Sequence, residues 1–208
     1  MIDRTTLLTY LIVLAGFVVI PGPAVLLTLA RASGAGVRTG LATCLGIAIG
    51  DLIHTAAVVI GLSAVVMTSA LLFTIIKYAG AAYLVYLGIR AMLERSSAAA
   101  LIASAVIEAR VALRQAILIE VLNPKSAMFF LAFLPQFVHP ENGAVSLQLV
   151  VLGVLFVLMG LMSTTMVAVC AGRLSGLLRR HPAVMRWQGK AIGTIYCALG
   201  LRLALQER

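Results

Sequence analysis

The sequence predicts an all-α polytopic membrane protein of about six transmembrane helices, arranged as two inverted three-helix repeats. Three observations carry that reading. The 208 residues are 62% hydrophobic and 11% charged, with a mean hydropathy of +1.10, more apolar surface than a soluble domain of this size can hide. Several runs of about 20 residues carry few or no charges, the length that crosses a hydrocarbon core of about 30 Å. Matching features also recur, in the same order, in the first and second halves.

The apolar runs fall at 5–30, 37–62, 70–93, 111–137, 144–171 and 187–205. The first follows MIDR, which is not positively charged on balance, and Arg31 arrives only after a run longer than a signal-peptide core. It is therefore expected to be retained. Inside it lies VVIPGPAVLL, with Pro21, Gly22 and Pro23 in a row. The second run holds Asp51 and His54 in otherwise apolar surroundings. The third contains GAAYLVYLGIR and leads into ERSSAAALIASAVIEAR, a polar, alanine-rich stretch. The fourth is interrupted by Asn123-Pro124-Lys125. The fifth is uninterrupted and leads into GRLSGLLRRHPAVMR, read as a basic loop. The sixth is the shortest, because Lys190 and Arg202 bracket its apolar part.

Lys and Arg are distributed unevenly between the links. The first, third and fifth links carry Arg31 and Arg38; Arg90, Arg95, Arg110 and Arg114; and Arg173, Arg179, Arg180, Arg186 and Lys190. The second and fourth carry almost none. The positive-inside rule puts the odd links in the cytoplasm, so with six spans both termini face outward. If the sixth run does not cross, the C-terminus stays inside. This pattern also accounts for the net charge of +9 without nucleic acid, since no basic stripe is interleaved with aromatics. Cys44, Cys170 and Cys197 stand alone in apolar runs, with no CxxC pair, and read as small fillers.

GAAYLVYLGIR in the third run and GTIYCALGLR in the sixth both end in Leu-Gly-x-Arg. The first and fourth runs both carry a mid-span proline. Three spans per half is odd, so the second copy must be inverted, as in many secondary transporters. The chain then reads as one transmembrane domain: a first repeat at 1–95, a cytoplasmic linker at 96–110 and a second repeat at 111–208.

The prolines are the first candidates for function. Each lacks the N–H that would bond the carbonyl one turn back, so Pro21 frees that of Phe17, Pro23 that of Val19 and Pro124 that of Glu120. A carbonyl stranded in lipid costs several kcal/mol unless water, an ion, a substrate ammonium group or a neighbouring helix pairs with it. At about 1.5 Å per residue, Asp51 lies about 20 Å from Arg38, Pro124 about 20 Å from Val111 and Pro23 about 12 Å from Arg31. All three fall in the inner or middle bilayer, where they can converge on one site.

Asp51 is the sharpest single residue. A carboxylate at that depth costs at least about 2.5–3.5 kcal/mol and usually faces a cavity or a partner. It can take a substrate ammonium, carry a proton, or pair structurally with Lys125. His54 shares its helix face. Lys125 can neutralise Asp51 or bind a carboxylate. Glu120 is either a gate acid or an interfacial residue paired with Arg114. Gly46-x3-Gly50 has the spacing that lets helices approach closely. Two ligands do not make a cage, so no metal is expected, nor any other cofactor.

PGPAVLLTLARASGAGVRTGLATCLGIAIGD resembles the N-terminal signature of the LysE/RhtB family of bacterial amino-acid exporters. LNPKSAMFFLAFLPQFV resembles its second signature, and KYAGAAYLVYLGIRAM its third-span pattern. The resemblance covers nearly the whole chain and is closer to the homoserine/threonine branch than to the basic-amino-acid branch. It implies efflux of amino acids or derivatives across the bacterial inner membrane, driven by protons. It places Pro21, Gly22, Pro23, Asp51, Asn123, Pro124 and Lys125 at signature positions. Glu120 departs from the pattern, which more often has a neutral residue there. The implied partners are an amino-acid substrate, protons and membrane lipid, with a homo-oligomer left open. An intramembrane enzyme using Asp51 and His54 is the alternative from another class, and no second acid in a recognisable motif supports it.

Overall fold

The computed structural model describes residues 2–19, 22–68 and 107–180, with isolated positions between 75 and 93 and between 190 and 205. These isolated positions are all helical. The expected spans at 70–93 and 187–205, the Leu-Gly-x-Arg pair and most of the 96–110 linker lie outside the described residues.

The described part is all-helical. Helix α1 covers Arg4–Val19, α2 Pro23–Ala35, α3 Val37–Thr68, α4 Ala109–Val121, α5 Pro124–Met128 and α6 Val145–Arg180. Two segments, Val37–Gly61 and Val145–Ala171, are each long and apolar enough to cross a membrane. Two bent pairs bring the number to as many as four if each is one broken span. Arg4–Val18 and Pro23–Ala35 meet at 49°, and Ala109–Val121 and Lys125–Phe137 at 46°. The chain is thus a helical protein with two to four candidate spans among its described residues.

Both bends sit where proline chemistry demands them. Helix α2 starts at Pro23 with Gly22 as its N-cap, and α5 starts at Pro124 with Asn123 as its N-cap. A proline at the first helical position loses nothing, because that N–H has no intrahelical acceptor. This changes the expectation for Pro23: it opens a new helix rather than interrupting one. Past α5 the backbone widens into a π turn at Phe129–Phe133 and tightens into a 3-10 turn at Leu134–Phe137. Pro135 is the cause, since its missing N–H cannot continue an α-helix.

Two expected loops are helical. The link between the first two runs reduces to Gly36, whose φ of +87° is one that L side chains rarely adopt. Helix α6 runs on to Arg180 through residues expected to form a basic loop. Nothing before Pro182 breaks that stretch, and its leucines and arginines favour a helix.

Helix α3 is the hub and packs against α2, α4 and α6. Gly46 and Gly50 set its contact with α4. A Cβ at Gly46 would stand 2.7 Å from the Ala116 methyl, and one at Gly50 would stand 2.6 Å from Glu120 Cβ. The main core joins Tyr10, Leu14 and Phe17 of α1 to Phe129, Phe130 and Phe133 of the π turn and to Leu152 and Phe156 of α6. The Tyr10 hydroxyl donates to the Leu152 carbonyl at 2.7 Å, which satisfies a buried phenol inside an aromatic cluster.

Candidate functional site

The two breaks meet directly, Lys125 of the second reaching Gly22 and Phe17 of the first. Between them lies a cavity holding about 430 Å³ of space, its open mouth included. Its polar walls come from Asp51, Glu120, Asn123, Lys125, Ser126, Ser163 and Thr164, and its apolar walls include Phe17, Ile47 and Phe156. Gly22 and Gly160 also line it.

Two of the freed carbonyls, those of Phe17 and Glu120, find a donor from another element. The Lys125 ammonium donates to the Phe17 carbonyl at 3.4 Å and sits 4.3 Å from the centre of the Phe17 ring. The break after Phe17 is therefore held by the residue that begins the second break. Gly22 makes this approach possible, because a Cβ there would lie 2.9 Å from both Lys125 Cδ and Nζ. The Glu120 carbonyl accepts from the Asn123 N–H at 3.0 Å and from His54 Nε2 at 3.0 Å. A carbonyl can only accept, so Nε2 carries the hydrogen. The His54 ring also stacks on Phe130, with centroids 5.6 Å apart.

The acids sit deeper. Asp51 is 3% exposed and Glu120 1%. Glu120 is well supplied with donors. Asn123 Nδ2 reaches both of its oxygens, at 3.1 and 3.2 Å, and Ser126 Oγ donates to Oε1. The amide is oriented for this by its other end, since Asn123 Oδ1 accepts the Lys125 N–H at 3.1 Å. Asp51 is supplied differently. Its side chain lines the same cavity as Glu120, and Oδ2 points toward Gly160 of α6, where a Cβ would stand 3.7 Å away. Its Oδ1 is buried with no hydrogen-bond partner. A buried carboxyl oxygen left so is costly, and it suits a site whose ligand brings the donor.

The candidates from the sequence are placed as follows. Gly22, Asp51, Glu120, Asn123 and Lys125 all line the cavity. His54 stands one layer back, holding Glu120 by its backbone. Pro23 is exposed and opens α2, and Pro124 opens α5. Pro21 lies outside the described residues. Glu120 faces inward, whereas Arg114, its proposed interfacial partner, is exposed. The backbone N–H of Lys125 is taken by Asn123 Oδ1.

Residues 15–207 match the LysE type translocator family. The chain belongs to that family. An uncharacterized membrane protein of Vibrio cholerae is 34% identical to it over 197 residues, 95% of each chain. The homoserine/homoserine lactone efflux protein of Salmonella typhimurium is 32% identical over 185 residues, 88% of each chain. The leucine efflux protein of Salmonella choleraesuis is 31% identical over 139 residues, 65% of this chain and 66% of that one. No solved structure matches. As a LysE type translocator, the protein is a multi-pass membrane transporter and not an enzyme.

Three polar residues that line the cavity of this translocator were not singled out from its sequence: Ser126, Ser163 and Thr164. Ser126 adjoins Asn123-Pro124-Lys125. Ser163 and Thr164 begin a Ser-Thr-Thr run inside the long, mostly apolar helix α6. A cluster of hydroxyls at that depth is a usable signal for a cavity-facing strip.

Proposed function

We propose that this translocator exports neutral amino acids or their close derivatives from the cytoplasm across the bacterial inner membrane, in exchange for protons. The carrying observation is Asp51: a buried carboxyl with an unpartnered oxygen, facing a cavity that also holds the Lys125 ammonium. A zwitterion entering a low-dielectric site needs both of its charges met. Asp51 takes the ammonium group, and Lys125 takes the carboxylate by turning from the Phe17 carbonyl. The names of the efflux relatives, homoserine, homoserine lactone and leucine, support this substrate class.

The proposed architecture is six spans in two inverted halves, 1–95 and 111–208, with residues 96–110 as the cytoplasmic linker. The paired breaks support it, since each half contributes one N-cap followed by Pro, Gly22-Pro23 and Asn123-Pro124. The halves rock about the cavity between them. One proton moving inward through 100 mV gains about 2.3 kcal/mol, about a 50-fold substrate gradient.

Export of basic amino acids is a second reading, favoured by the extra carboxyl of Glu120 in the cavity. Proteoliposomes preloaded with labelled L-homoserine, L-leucine or L-lysine test both. The neutral amino acids should leave when a proton gradient is imposed, and Asp51→Asn should abolish that efflux. Gradient-driven efflux that survives Asp51→Asn sinks the central role of Asp51. Efflux of lysine alone sinks the neutral-substrate reading.

A further inference from the structure

Glu120 is the acid that the sequence places least well, and the structure puts it beside Asp51 in a closed polar cluster. Two buried carboxyls lining one cavity side by side do not readily both ionise, because like charges at short distance repel strongly. The cluster is asymmetric. Glu120 receives two contacts from Asn123 Nδ2 and the hydrogen of Ser126 Oγ. Three contacts from donors stabilise an anion. No donor reaches Oδ1 of Asp51. The donors are thus gathered on Glu120 and not on Asp51.

We propose that Asp51 and Glu120 act as one proton-or-ammonium exchanger, in which Glu120 holds the negative charge and Asp51 gives up a proton when an amine binds. This rests on the amino-acid export reading and adds the residue that couples it to protons. As the amine enters from the cytoplasm, the proton on Asp51 leaves to the cytoplasm and the ammonium group takes its place at the Asp51 carboxylate. At the outer face the steps reverse: the ammonium departs and a proton from outside returns to Asp51. No bond other than O–H changes, and the pair carries one net negative charge when empty. With Lys125, the site then matches a zwitterion.

The other groups facing the pair are accounted for. From α5 comes Lys125, whose ammonium is directed to the Phe17 carbonyl and ring. From α3 comes His54, whose Nε2 is engaged on the Glu120 carbonyl. From α6 come Gly160, Ser163 and Thr164, and from α2 Ala24 and Val25, none of them ionisable. Gly50 permits the pairing, because a Cβ there would stand 2.6 Å from Glu120 Cβ and 2.9 Å from its Cγ.

The test uses the full chain in nanodiscs with L-homoserine, L-leucine, L-lysine and homoserine lactone as probes. A pH-indicator dye should report about one proton released per amine bound by wild type. Apparent affinity should then improve about tenfold per pH unit over the range in which the pair holds its proton. Infrared spectra of the empty protein should show a protonated-carboxyl band that amine binding removes. Glu120→Gln should still bind but release no proton and lose the pH dependence. Should Glu120→Gln fail to fold, Ser126→Ala, which keeps both acids, should displace the midpoint of the pH profile without abolishing it. A Glu120→Gln protein with the wild-type profile, an unmoved midpoint in Ser126→Ala, or no proton release from wild type with any probe overturns the proposal. Proton release on binding without efflux from proteoliposomes would instead overturn the export reading and leave the exchanger standing.

Discussion

The Lys125 ammonium reaches across from the second helix break to the Phe17 carbonyl at the first, at 3.4 Å, while lying over the Phe17 ring. One side chain thus ties the two broken segments together at the cavity wall. Replacing it with methionine keeps the stem but leaves the carbonyl without this donor. Losing a hydrogen bond to a buried carbonyl costs about 1–3 kcal/mol, so Lys125→Met should lower the melting temperature in detergent. Lys125→Gln, which can still donate, should recover part of that loss. Both should bind L-homoserine about tenfold or more weakly, since a hydrogen bond to a charged group contributes about 1.5–3 kcal/mol. Isothermal titration alongside thermal melts reads the two effects separately.

Gly22 leaves the space that the lysine tail occupies. In Gly22→Ala the new methyl would lie 2.9 Å from Lys125 Cδ and Nζ. A flexible tail can move aside, so the fold should persist with a melting temperature close to wild type. The ammonium should be displaced, and efflux should fall while expression and melting hold. A normal efflux rate in Gly22→Ala would show that Lys125 need not sit where it does.

His54 supports the second break from behind. His54→Phe keeps a ring to stack on Phe130 and removes the donor to the Glu120 carbonyl. That carbonyl retains the Asn123 N–H, so the cost should stay near the low end, about 1 kcal/mol. Denaturation in detergent should place His54→Gln, which keeps a donor but loses the stack, between His54→Phe and wild type.

Gly50→Ala should be far less tolerated. Its Cβ would meet Glu120 Cβ and Cγ on the facing helix, and neither is the far end of a long side chain. Helices α3 and α4 must separate locally, a strain of about 1–3 kcal/mol. Thermal melts should show the loss, and proton release on amine binding should weaken with it.

Asp3 offers a pH prediction outside the spans. Thr6 donates to it from both its hydroxyl and its N–H, at 2.6 and 2.9 Å. These bonds, the side-chain one foremost, hold its carboxyl below the ordinary 3.8. A depressed folded value means the contribution is present above about pH 4 and is lost as pH falls through the folded value. Carbon NMR of labelled Asp3 should titrate below 3.8, and Thr6→Ala should bring the midpoint back toward it.

Much of the described fold was legible because hydropathy and proline act locally. The uninterrupted runs at 37–62 and 144–171 match the candidate membrane-crossing segments Val37–Gly61 and Val145–Ala171 almost to the residue, within the longer helices Val37–Thr68 and Val145–Arg180. The prolines marked both bends. Helix ends were less legible: 172–180 looked like a loop for its charge, and a helix does not stop for charge alone. The π and 3-10 turns before and after Leu134 depended on Pro135 in a segment that otherwise reads as continuous helix.

The site divides in the same way. That Asp51 is a charge in an apolar span, and that two proline breaks lie at similar depth, are properties of the sequence by itself, because depth follows from rise per residue and burial cost from charge. Which side chain meets which depends on how each helix is rotated about its axis and how closely its neighbours approach. Only the tertiary structure decided that Glu120 turns inward to Asp51, that His54 holds its carbonyl, and that Lys125 crosses to Phe17. Those contacts rest on the missing Cβ atoms of Gly22 and Gly50 and on the bends at Pro23 and Pro124, which bring residues 66 and 108 positions apart into hydrogen-bonding distance.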